Sequence, residues 1–198
     1  MKGIIMSGDS VKAILEGRKT QTRRLIKDIG PYIPEGKYRY DGKLCGVHAI
    51  ELLDENGKPT EHYIDCESPR YFPGDIVYVK ETWGLSWEMT GGVIYKADYT
   101  NGDALLAEGE KWRKAMFMPQ DAARIFLRII DLRVERLHDI TPGDVWDEGV
   151  RISSATLAFN REAYLNLFYK INKGIAPGAN PLVWVYAFER VDRPEGAV

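Results

Sequence analysis

The stretch Arg124–Gly149, RIFLRIIDLRVERLHDITPGDVWDEG, joins the two kinds of regular structure that decide the fold of this chain. The aliphatic and β-branched residues of Arg124–Leu137 favour one long strand or two, although the charges among them leave a helix open. Thr141 then stands at the N-cap of a short helix, with Asp144 three residues further on and Gly149 as the stop. A strand that leads into a capped helix indicates a fold of mixed α and β structure.

Further short strands and helices are predicted on both sides of this stretch. They include the strands Lys2–Met6, Ile76–Glu81, Gly92–Asp98 and Leu182–Phe188, and the clearest helix is Asn160–Lys173. Asp9 or Ser10 is expected to cap another helix, and Gly17 is expected to end it. The pair Asn56-Gly57 predicts the turn of a β-hairpin. Several short strands with a few helices between them predict an α+β fold, namely a small mixed or antiparallel β-barrel flanked by helices.

The bulk composition suits one globular domain, which we predict to span residues 1–193 with a tail at 194–198. Hydrophobic residues make up 44% of the chain and the formal net charge is -2. A protein that coats nucleic acid by bulk charge is therefore excluded, and a negative partner must be met by a local patch. No secretory or membrane-spanning run occurs, and there are only two cysteines, which predicts a cytoplasmic protein without membrane contact. No motif indicates a cofactor.

Four potential zinc ligands occur in and around the predicted hairpin, namely Cys45, His48, His62 and Cys66. A two-residue turn at Asn56-Gly57 would pair Glu51 with His62, and His48 would then point to the face opposite the other three. Cys45 and His62 would also be offset by six residues, from 45 to 51, which is roughly 20 Å at about 3.3 Å per residue. Ligands of one zinc ion lie only about 2.0–2.3 Å from it. We therefore predict no metal site.

The segment Gly17–Arg24, GRKTQTRR, which we call the basic segment, gathers positive charge around two threonines. Five basic residues and no acidic residue lie between Gly17 and Lys27. One interpretation is a solvated edge strand, where lysine and arginine prevent aggregation. The other is an anion site, because arginine offers a fork of donors to a phosphate and lysine offers a point charge. Composition alone leaves both interpretations open.

Four sequence blocks carry a resemblance to a known family. In chain order they are ILEGRKTQTRR, PGDIVYVKETW, ARIFLRIIDLRVERLHDITPGDVWDEGV and NPLVWVYAFERV. Together they resemble the larger, phage-associated members of the ASCH family, whose fold is a PUA-like β-barrel. The resemblance covers most of the chain outside two insertions, at about 27–70 and 84–118. It implies binding of RNA or nucleosides, and hence a nucleoside or single-stranded RNA as the partner.

One branch of the ASCH proteins consists of amidohydrolases that remove the acetyl group from N4-acetylcytidine with a lysine, a threonine and a glutamate. The resemblance places the first two at Lys19 and Thr22, in the pattern G-x-K-x-x-T. It places the third at Glu148, after the helix start at Ile140-Thr141. Two other functions stay open, a non-catalytic RNA-binding or regulatory module and a ribonuclease.

The chemistry of amide hydrolysis suits these three residue types. An amide carbonyl needs a nucleophile, a base and a proton for the leaving amine. Thr22 would supply the hydroxyl and Lys19 the base and acid, in the neutral form that burial and cations such as Arg18 or Arg23 favour. Glu148 is expected to orient the reacting groups. Residues three apart point to opposite faces of a straight strand, so Lys19 and Thr22 would need a turn or bulge to share a pocket.

A second predicted contact with nucleic acid lies at Glu81 and Trp83, in the block PGDIVYVKETW. Glu81 would accept hydrogen bonds from a base edge, and Trp83 would stack on a base, a contact worth about 1–3 kcal/mol. Alternatively, Trp83 is part of the core and Glu81 pairs with an arginine of the basic segment. Arg18, Arg23 and Arg24 complete the predicted nucleic-acid-binding residues.

Overall fold

The structure is a computed structural model in which the chain divides into two compact units. It describes residues 1–27, 29, 34–44, 47–86, 92–99, 106, 109–150 and 157–196. The first unit consists of Met1–Thr20, Gly74–Ile130 and Phe188–Val198, and the second of Gln21–Pro73 and Asp131–Ala187. The predicted insertion at about 27–70 therefore lies in the second unit, and the one at about 84–118 lies in the first.

Strands outnumber helices, and the predicted α+β class is confirmed. The strands are β1 (Lys2–Ile5), β2 (Gln21–Leu25), β3 (Lys37–Leu44), β4 (Val47–Leu53), β5 (Pro59–Cys66), β6 (Ile76–Lys80), β7 (Trp83–Leu85), β8 (Val93–Tyr95), β9 (Phe126–Arg136) and β10 (Leu182–Val191). The α-helices are α1 (Gly8–Leu15), α2 (Pro142–Asp147) and α3 (Leu157–Ile171), and 3-10 turns occur at Lys96–Asp98, Ala115–Phe117, Gln120–Ala122 and Leu137–Asp139. Across the part of the chain that is described, no helix combines the length and the apolar character needed to cross a membrane.

The strands form open sheets, so the predicted closed barrel is wrong. Their orders are β1-β6-β9-β10-β2, β3-β4-β5 and β7-β8. A barrel requires every strand to have a neighbour on both sides. Among the described residues, each sheet instead begins and ends at a strand with a single neighbour.

In the first unit, β1 runs parallel to β6, and β6 runs antiparallel to β9. Helix α1 follows β1 and is capped by Ser7, whose hydroxyl accepts a hydrogen bond from the Ser10 amide at 3.3 Å. The predicted cap at Asp9 or Ser10 is therefore wrong by two or three residues, because Ser7 already supplies the acceptor for the first turn. Gly17 ends the helix as predicted, with the left-handed φ of 71° that glycine adopts freely.

In the second unit, β2 pairs with β10 in a regular antiparallel register. Thr22 lies opposite Tyr186, and Arg23 lies opposite Val185. One face of this pair belongs to a hydrophobic core with α2 and α3. The buried members of that core are Leu137, Ile140, Val145, Tyr164, Phe168, Val183 and Val185.

Helix α2 begins where the sequence predicts. The Asp144 amide donates to the Thr141 hydroxyl at 3.1 Å, and the Thr141 amide donates to the Asp144 carboxylate at 2.9 Å, which completes a capping box. Glu148 is the C-cap, and Gly149 follows with a φ of 79°. These local signals fix the start and the end of α2 independently of the rest of the fold.

The predicted hairpin at Asn56-Gly57 is confirmed, but its register is not. Strand β4 pairs with β5 so that Glu51 lies opposite Tyr63, one residue away from the predicted partner His62. The register shifts between Glu51 and Leu53, and Glu61 adopts a left-handed φ of 59°. An irregularity of this kind moves each following side chain relative to its partner across the strands.

The zinc ligands considered from the sequence do not form a group that could hold a metal among the described residues. Cys45 lies outside those residues. His48 is opposite Cys66 across the sheet, and its Nδ1 shares a hydrogen bond with the Tyr40 hydroxyl. Burial is the main cause that raises the pKa of the Cys66 thiol, to about 11, and a protonated thiol is a poor metal ligand.

Candidate functional site

The three predicted catalytic residues are all buried, with Lys19 in the first unit and the other two in the second. Lys19, Thr22 and Glu148 each expose only 5% of their surface. Lys19 follows directly on α1, because its amide donates to the Ala13 carbonyl at 3.0 Å. Lysine and glutamate are almost never buried to this extent without partners. The alternative interpretation of the basic segment, a solvated edge strand, is half right: β2 lies at the edge of its sheet, but Lys19 and Thr22 are buried and not solvated.

Arg23, in the middle of β2, lies among three carboxylates. Its side chain is fully buried. Nη2 lies 2.8 Å from Glu135 Oε2 and 3.4 Å from Asp144 Oδ1, and Nη1 lies 3.3 Å from Glu148 Oε1. Burial lowers the pKa of Arg23, but the neighbouring acids, Glu148 first among them, outweigh burial and raise it. The guanidinium predicted to contact nucleic acid therefore binds protein carboxylates in this structure.

Asp144 links β2, β9 and α2. Its Oδ1 accepts hydrogen bonds from Gln21 Nε2 at 2.9 Å and from Arg133 Nη2 at 3.1 Å, and its Oδ2 accepts one from the Thr141 hydroxyl at 2.6 Å. Burial raises the pKa of Asp144, but the hydrogen bonds from Thr141 and Gln21 and the charge of Arg23 outweigh burial and lower it to about 2. Asp144 is therefore ionised near neutral pH and holds the basic segment against α2.

Replacing Asp144 with asparagine is expected to lower the free energy of unfolding by about 2 kcal/mol at neutral pH. The carboxyl titrates near 3.8 when unfolded and at about 2 when folded, and each pKa unit corresponds to about 1.4 kcal/mol. Because the folded pKa is the lower one, this stability is present above pH 3.8 and is lost as the pH falls towards 2. Denaturant unfolding at several pH values measures it.

The matched control for this prediction is Asp147→Asn, which makes the same change of charge at an exposed position of α2. It is expected to change the free energy of unfolding by less than about 0.5 kcal/mol. Equal losses in the Asp144 and Asp147 variants, or a loss at Asp144 that persists unchanged at pH 2, would contradict the assigned network.

Glu148 is fixed in place by Arg23 and Tyr164. The Tyr164 hydroxyl donates a hydrogen bond to the Glu148 side chain. Burial, and after it the charge of Glu148, raises the pKa of Tyr164 well above its usual value, so the phenol stays protonated and remains a donor. The Glu148 carboxylate is 3% exposed and lies 3.3 Å from Arg23. Such a carboxylate is suited to hold other groups in position.

Thr22 points away from the Arg23 cluster. Successive side chains alternate between the faces of a strand, and β2 pairs regularly along its whole length. Gln21 and Arg23 both contact Asp144, so the Thr22 hydroxyl lies on the other face of β2. Within the second unit, the described contacts therefore do not bring the predicted nucleophile to the predicted positioning residue, Glu148.

Aromatic rings line the face of β2–β10 to which Thr22 belongs. Tyr186, opposite Thr22, is 1% exposed, and its hydroxyl accepts a hydrogen bond from the Arg70 amide at 3.2 Å. Trp184 lies opposite Arg24 and meets the edge of Tyr40 at 5.4 Å between ring centroids. Trp184 is itself 2% exposed. The ring is therefore packed against protein and is not open to stacking with a base.

Glu81 lies in a buried ion pair of the first unit. Arg124 donates from Nε to Oε1 at 2.9 Å and from Nη2 to Oε2 at 3.0 Å, so the pair is bidentate. Burial raises the pKa of Glu81, and the hydrogen bonds and charge of Arg124 act against that rise. Both carboxylate oxygens that were predicted to meet a base edge are thus bound by Arg124, which lies outside the basic segment.

Trp83 packs in the core of the first unit. It is 6% exposed and lies in a cluster with Tyr78, Met118 and Phe126. The Arg113 guanidinium lies 4.8 Å from the centre of its ring. One face of the indole is therefore covered by a cation of the same chain, as expected if Trp83 is part of the core.

The two other predicted nucleic-acid contacts are more accessible. Arg18 is partly exposed and donates from Nε to Glu16 at 2.6 Å. Arg24 is also partly exposed and lies opposite Trp184 on the face of β2 that carries Thr22. On this face of β2, the partly exposed guanidinium of Arg24 and the hydroxyl of Thr22 are two residues apart.

Sequence reasoning missed the partners that hold the site together. Gln21 carries no charge within the basic segment, and Tyr164 lies inside the predicted helix Asn160–Lys173 with no sequence signal for a polar partner. Glu135 and Arg133 lie two residues apart on a predicted strand, and that spacing puts both side chains on one face. This shared face was the available signal for a charged cluster.

Comparisons with known proteins identify no family for this chain. No family model matches it, and no curated protein matches it. Among solved structures, it is similar to the protein EF3133 from Enterococcus faecalis V583, described as a DUF984 protein, with 12% sequence identity and a TM-score of 0.44. The similarity covers 97% of this chain and 77% of that one. A TM-score of this size carries no inference about function.

Proposed function

We propose that this chain is an ASCH-type protein that binds a nucleoside or RNA at the basic segment and hydrolyses the amide of N4-acetylcytidine-like nucleosides. The ASCH relationship rests on the four sequence blocks that include GRKTQTRR and ITPGDVWDEG. The acetyl group on the exocyclic nitrogen is the proposed target, and acetate and cytidine are the products.

The burial of Lys19, Thr22 and Glu148 is the observation that carries this proposal. Each residue type matches the amidohydrolase pattern, and each residue is 95% buried. Burying an ammonium and a carboxylate costs several kcal/mol per ion unless partners compensate. Buried ionisable groups that match a catalytic pattern are candidates for a functional site.

The proposed reaction has two steps that return the enzyme to its starting state. The Thr22 hydroxyl oxygen attacks the acetyl carbonyl carbon while the neutral Lys19 amine takes the hydroxyl proton. The C–N bond then breaks, Lys19 gives that proton to the leaving nitrogen, and cytidine departs. Water then attacks the ester carbonyl of acetyl-Thr22 while Lys19 takes a proton from it, the C–O bond to Thr22 breaks, and Lys19 returns the proton to the Thr22 oxygen. Acetic acid leaves and ionises to acetate.

Glu148 is proposed as a positioning residue in this reaction. Its carboxylate is held by Arg23 at 3.3 Å and by the Tyr164 hydroxyl. A group fixed on both sides keeps its orientation and does not have to reorganise during the reaction. Glu148→Gln keeps the shape of the side chain and removes its charge, and thermal unfolding of this variant separates the proposed role from the stability that the Arg23 pair contributes.

A non-catalytic nucleoside- or RNA-binding module is the second candidate. The observation that favours it is the position of Thr22, on the face of β2 opposite Arg23 and therefore opposite the Glu148 contact. In this case Thr22 and Arg24 would contact the ligand without forming a covalent intermediate. A partly exposed arginine beside a hydroxyl suits hydrogen bonding to phosphate or sugar.

The test compares the wild type with Lys19→Ala, Thr22→Ala and Thr22→Ser on two substrates. The first assay measures acetate release from N4-acetylcytidine, and the second measures binding and cleavage of a labelled single-stranded RNA. Thr20→Ala is the matched control, because Thr20 is the exposed threonine of the same segment. Thermal unfolding of each variant separates loss of activity from loss of fold.

The hydrolase is supported if acetate release falls to background in Lys19→Ala and Thr22→Ala, persists in Thr20→Ala and is partly restored in Thr22→Ser. No acetate release by the wild type, together with RNA binding that weakens with salt, supports the binding module. Cleavage of the RNA without deacetylation supports a ribonuclease and rejects both proposals.

A further inference from the structure

An arginine-lined cleft lies in the first unit, on residues that are not part of the basic segment. Its volume is about 610 Å³. Its lining residues are Ile76, Arg128, Arg190, Val191, Asp192, Arg193 and Pro194. Ile76 of β6 and Arg128 of β9 are direct partners across the sheet, so part of the lining is held on paired strands.

Three arginines and one aspartate give the cleft an excess of positive charge, in a chain whose formal net charge is -2. The Arg190 side chain is exposed near the end of β10. Arg193 is also exposed, and its guanidinium lies 5.7 Å from the centre of the Phe126 ring. Three arginines against one aspartate in the lining leave an excess of positive charge, which favours an anionic ligand.

The ion pair between Arg128 of the cleft and Glu189 is weak. Arg128 Nη1 lies 2.9 Å from Glu189 Oε1, but the two side chains are 48% and 52% exposed. Exposed pairs of this kind contribute only about 0–1 kcal/mol. Arg128 can therefore exchange Glu189 for a phosphate at little cost, and arginine binds phosphate with two parallel hydrogen bonds.

We propose that this arginine cleft binds the phosphate backbone of single-stranded RNA, which makes a polynucleotide, and not only a free nucleoside, the ligand of the protein. The inference rests on the proposed function and extends it to a second surface. The apolar lining of Ile76, Val191 and Pro194 offers contact to a sugar or base between the arginines. The cleft thus combines arginines for the phosphates with apolar residues for the sugar or base.

The experiment measures the affinity of a fluorescein-labelled single-stranded RNA oligonucleotide by anisotropy at several salt concentrations. The variants are Arg190→Ala and Arg128→Ala. The matched control is Lys96→Ala, which removes the same charge from an exposed position of the first unit outside the cleft. Hydrolysis of free N4-acetylcytidine is measured in parallel, because the proposed reaction uses none of the residues that line the cleft.

Each cleft variant is expected to bind the RNA about fivefold more weakly at about 0.1 M salt, and the slope of log affinity against log salt is expected to fall by about 0.7 per arginine. Lys96→Ala is expected to bind as the wild type does. Hydrolysis of the free nucleoside is expected to stay unchanged in all three variants.

Equal losses in Lys96→Ala and the arginine variants would indicate bulk charge and overturn the proposal. Wild-type affinity in Arg190→Ala and Arg128→Ala would overturn it as well, as would tighter binding of a polyglutamate peptide than of RNA. If the wild type fails to hydrolyse N4-acetylcytidine, the proposed hydrolase falls, and the RNA measurement still decides on the cleft by itself.

Discussion

Replacing Arg23 with methionine is expected to lower the free energy of unfolding by about 3–5 kcal/mol at neutral pH. Arg23 is fully buried, and it is the cation that faces Glu135, Asp144 and Glu148 together. Methionine fills a similar volume but leaves the 3% exposed carboxylate of Glu148 without the cation that faces it, while Arg133 still contacts Glu135 and Asp144. A carboxylate buried to this extent loses its counter-charge and a hydrogen bond together.

The loss of unfolding free energy in Arg23→Met should depend on pH, because protonation of the carboxylates removes the repulsion between them. Asp144 has a folded pKa of about 2 against 3.8 when unfolded, in part because of Arg23. A lowered folded pKa contributes stability that is present above pH 3.8 and is lost as the pH falls through 2. The difference between wild type and variant is therefore expected to narrow across that range.

Denaturant unfolding of Arg23→Met measures this prediction, with Arg128→Ala as the control. Arg128 also pairs with a glutamate, but that pair is about half exposed, so its loss is expected to cost less than about 1 kcal/mol. The double variant Arg23→Met with Glu148→Gln should recover part of the lost unfolding free energy, because it removes a buried carboxylate that no longer has its cation. A loss below 1 kcal/mol in Arg23→Met would show that the carboxylates do not depend on Arg23.

The parts of the fold that the sequence predicted are those that short-range signals determine. The capping box of Thr141 and Asp144 and the left-handed Gly17 each involve residues within one turn of a helix. Their energies come from backbone groups that have no other partner near by. These signals therefore predict where a helix begins or ends even when the order of the strands is unknown.

The parts that the sequence could not predict depend on pairing between distant strands. Asn56-Gly57 predicted a hairpin, but the left-handed Glu61 and the register shift at Glu51 have no signal in the residue types alone. One residue of register changes every facing pair. Strand pattern likewise predicts sheets without saying whether they close, and the predicted barrel failed for this reason.

The candidate site shows the same division between local and distant information. The residue types of the basic segment left a solvated edge strand and an anion site open, and neither predicted the burial of Lys19 and Thr22 by itself. The partner of Arg23, Glu135, lies 112 residues away in the sequence. Pairs at such separations follow from the fold as a whole, which composition and spacing do not contain.

Replacing Arg124 with methionine is expected to cost about 3–5 kcal/mol, and more than replacing Glu81 with leucine. The two residues form one bidentate pair, but their surroundings differ. Glu81 is 1% exposed, and both its oxygens accept hydrogen bonds from Arg124. Arg124 is 24% exposed and also donates to Asp98 at 2.7 Å. Removing Arg124 leaves a buried charge without its cation, whereas removing Glu81 leaves a cation that keeps Asp98 and some water.

This second loss should also shrink at acidic pH, although the pKa of Glu81 is raised where that of Asp144 is lowered. Burial already raises the pKa of Glu81 above 4.5, and Arg124 is what limits the rise. Without Arg124 the folded pKa of Glu81 rises further above the unfolded value, so stability is lost as the pH rises through that interval. The cost of Arg124→Met should therefore be largest at neutral pH and should shrink towards pH 4.5.

Denaturant unfolding of both single variants at neutral and acidic pH measures this asymmetry, with Asp98→Asn as the control. Asp98 is 45% exposed, so its loss is expected to cost less than about 1 kcal/mol. The double variant Arg124→Met with Glu81→Leu should be more stable than Arg124→Met alone, because no charge is left buried. Equal losses of unfolding free energy in Glu81→Leu and Arg124→Met at neutral pH would contradict this prediction. They would mean that Asp98 and solvent do not stabilise the remaining arginine better than Glu81 is stabilised without Arg124.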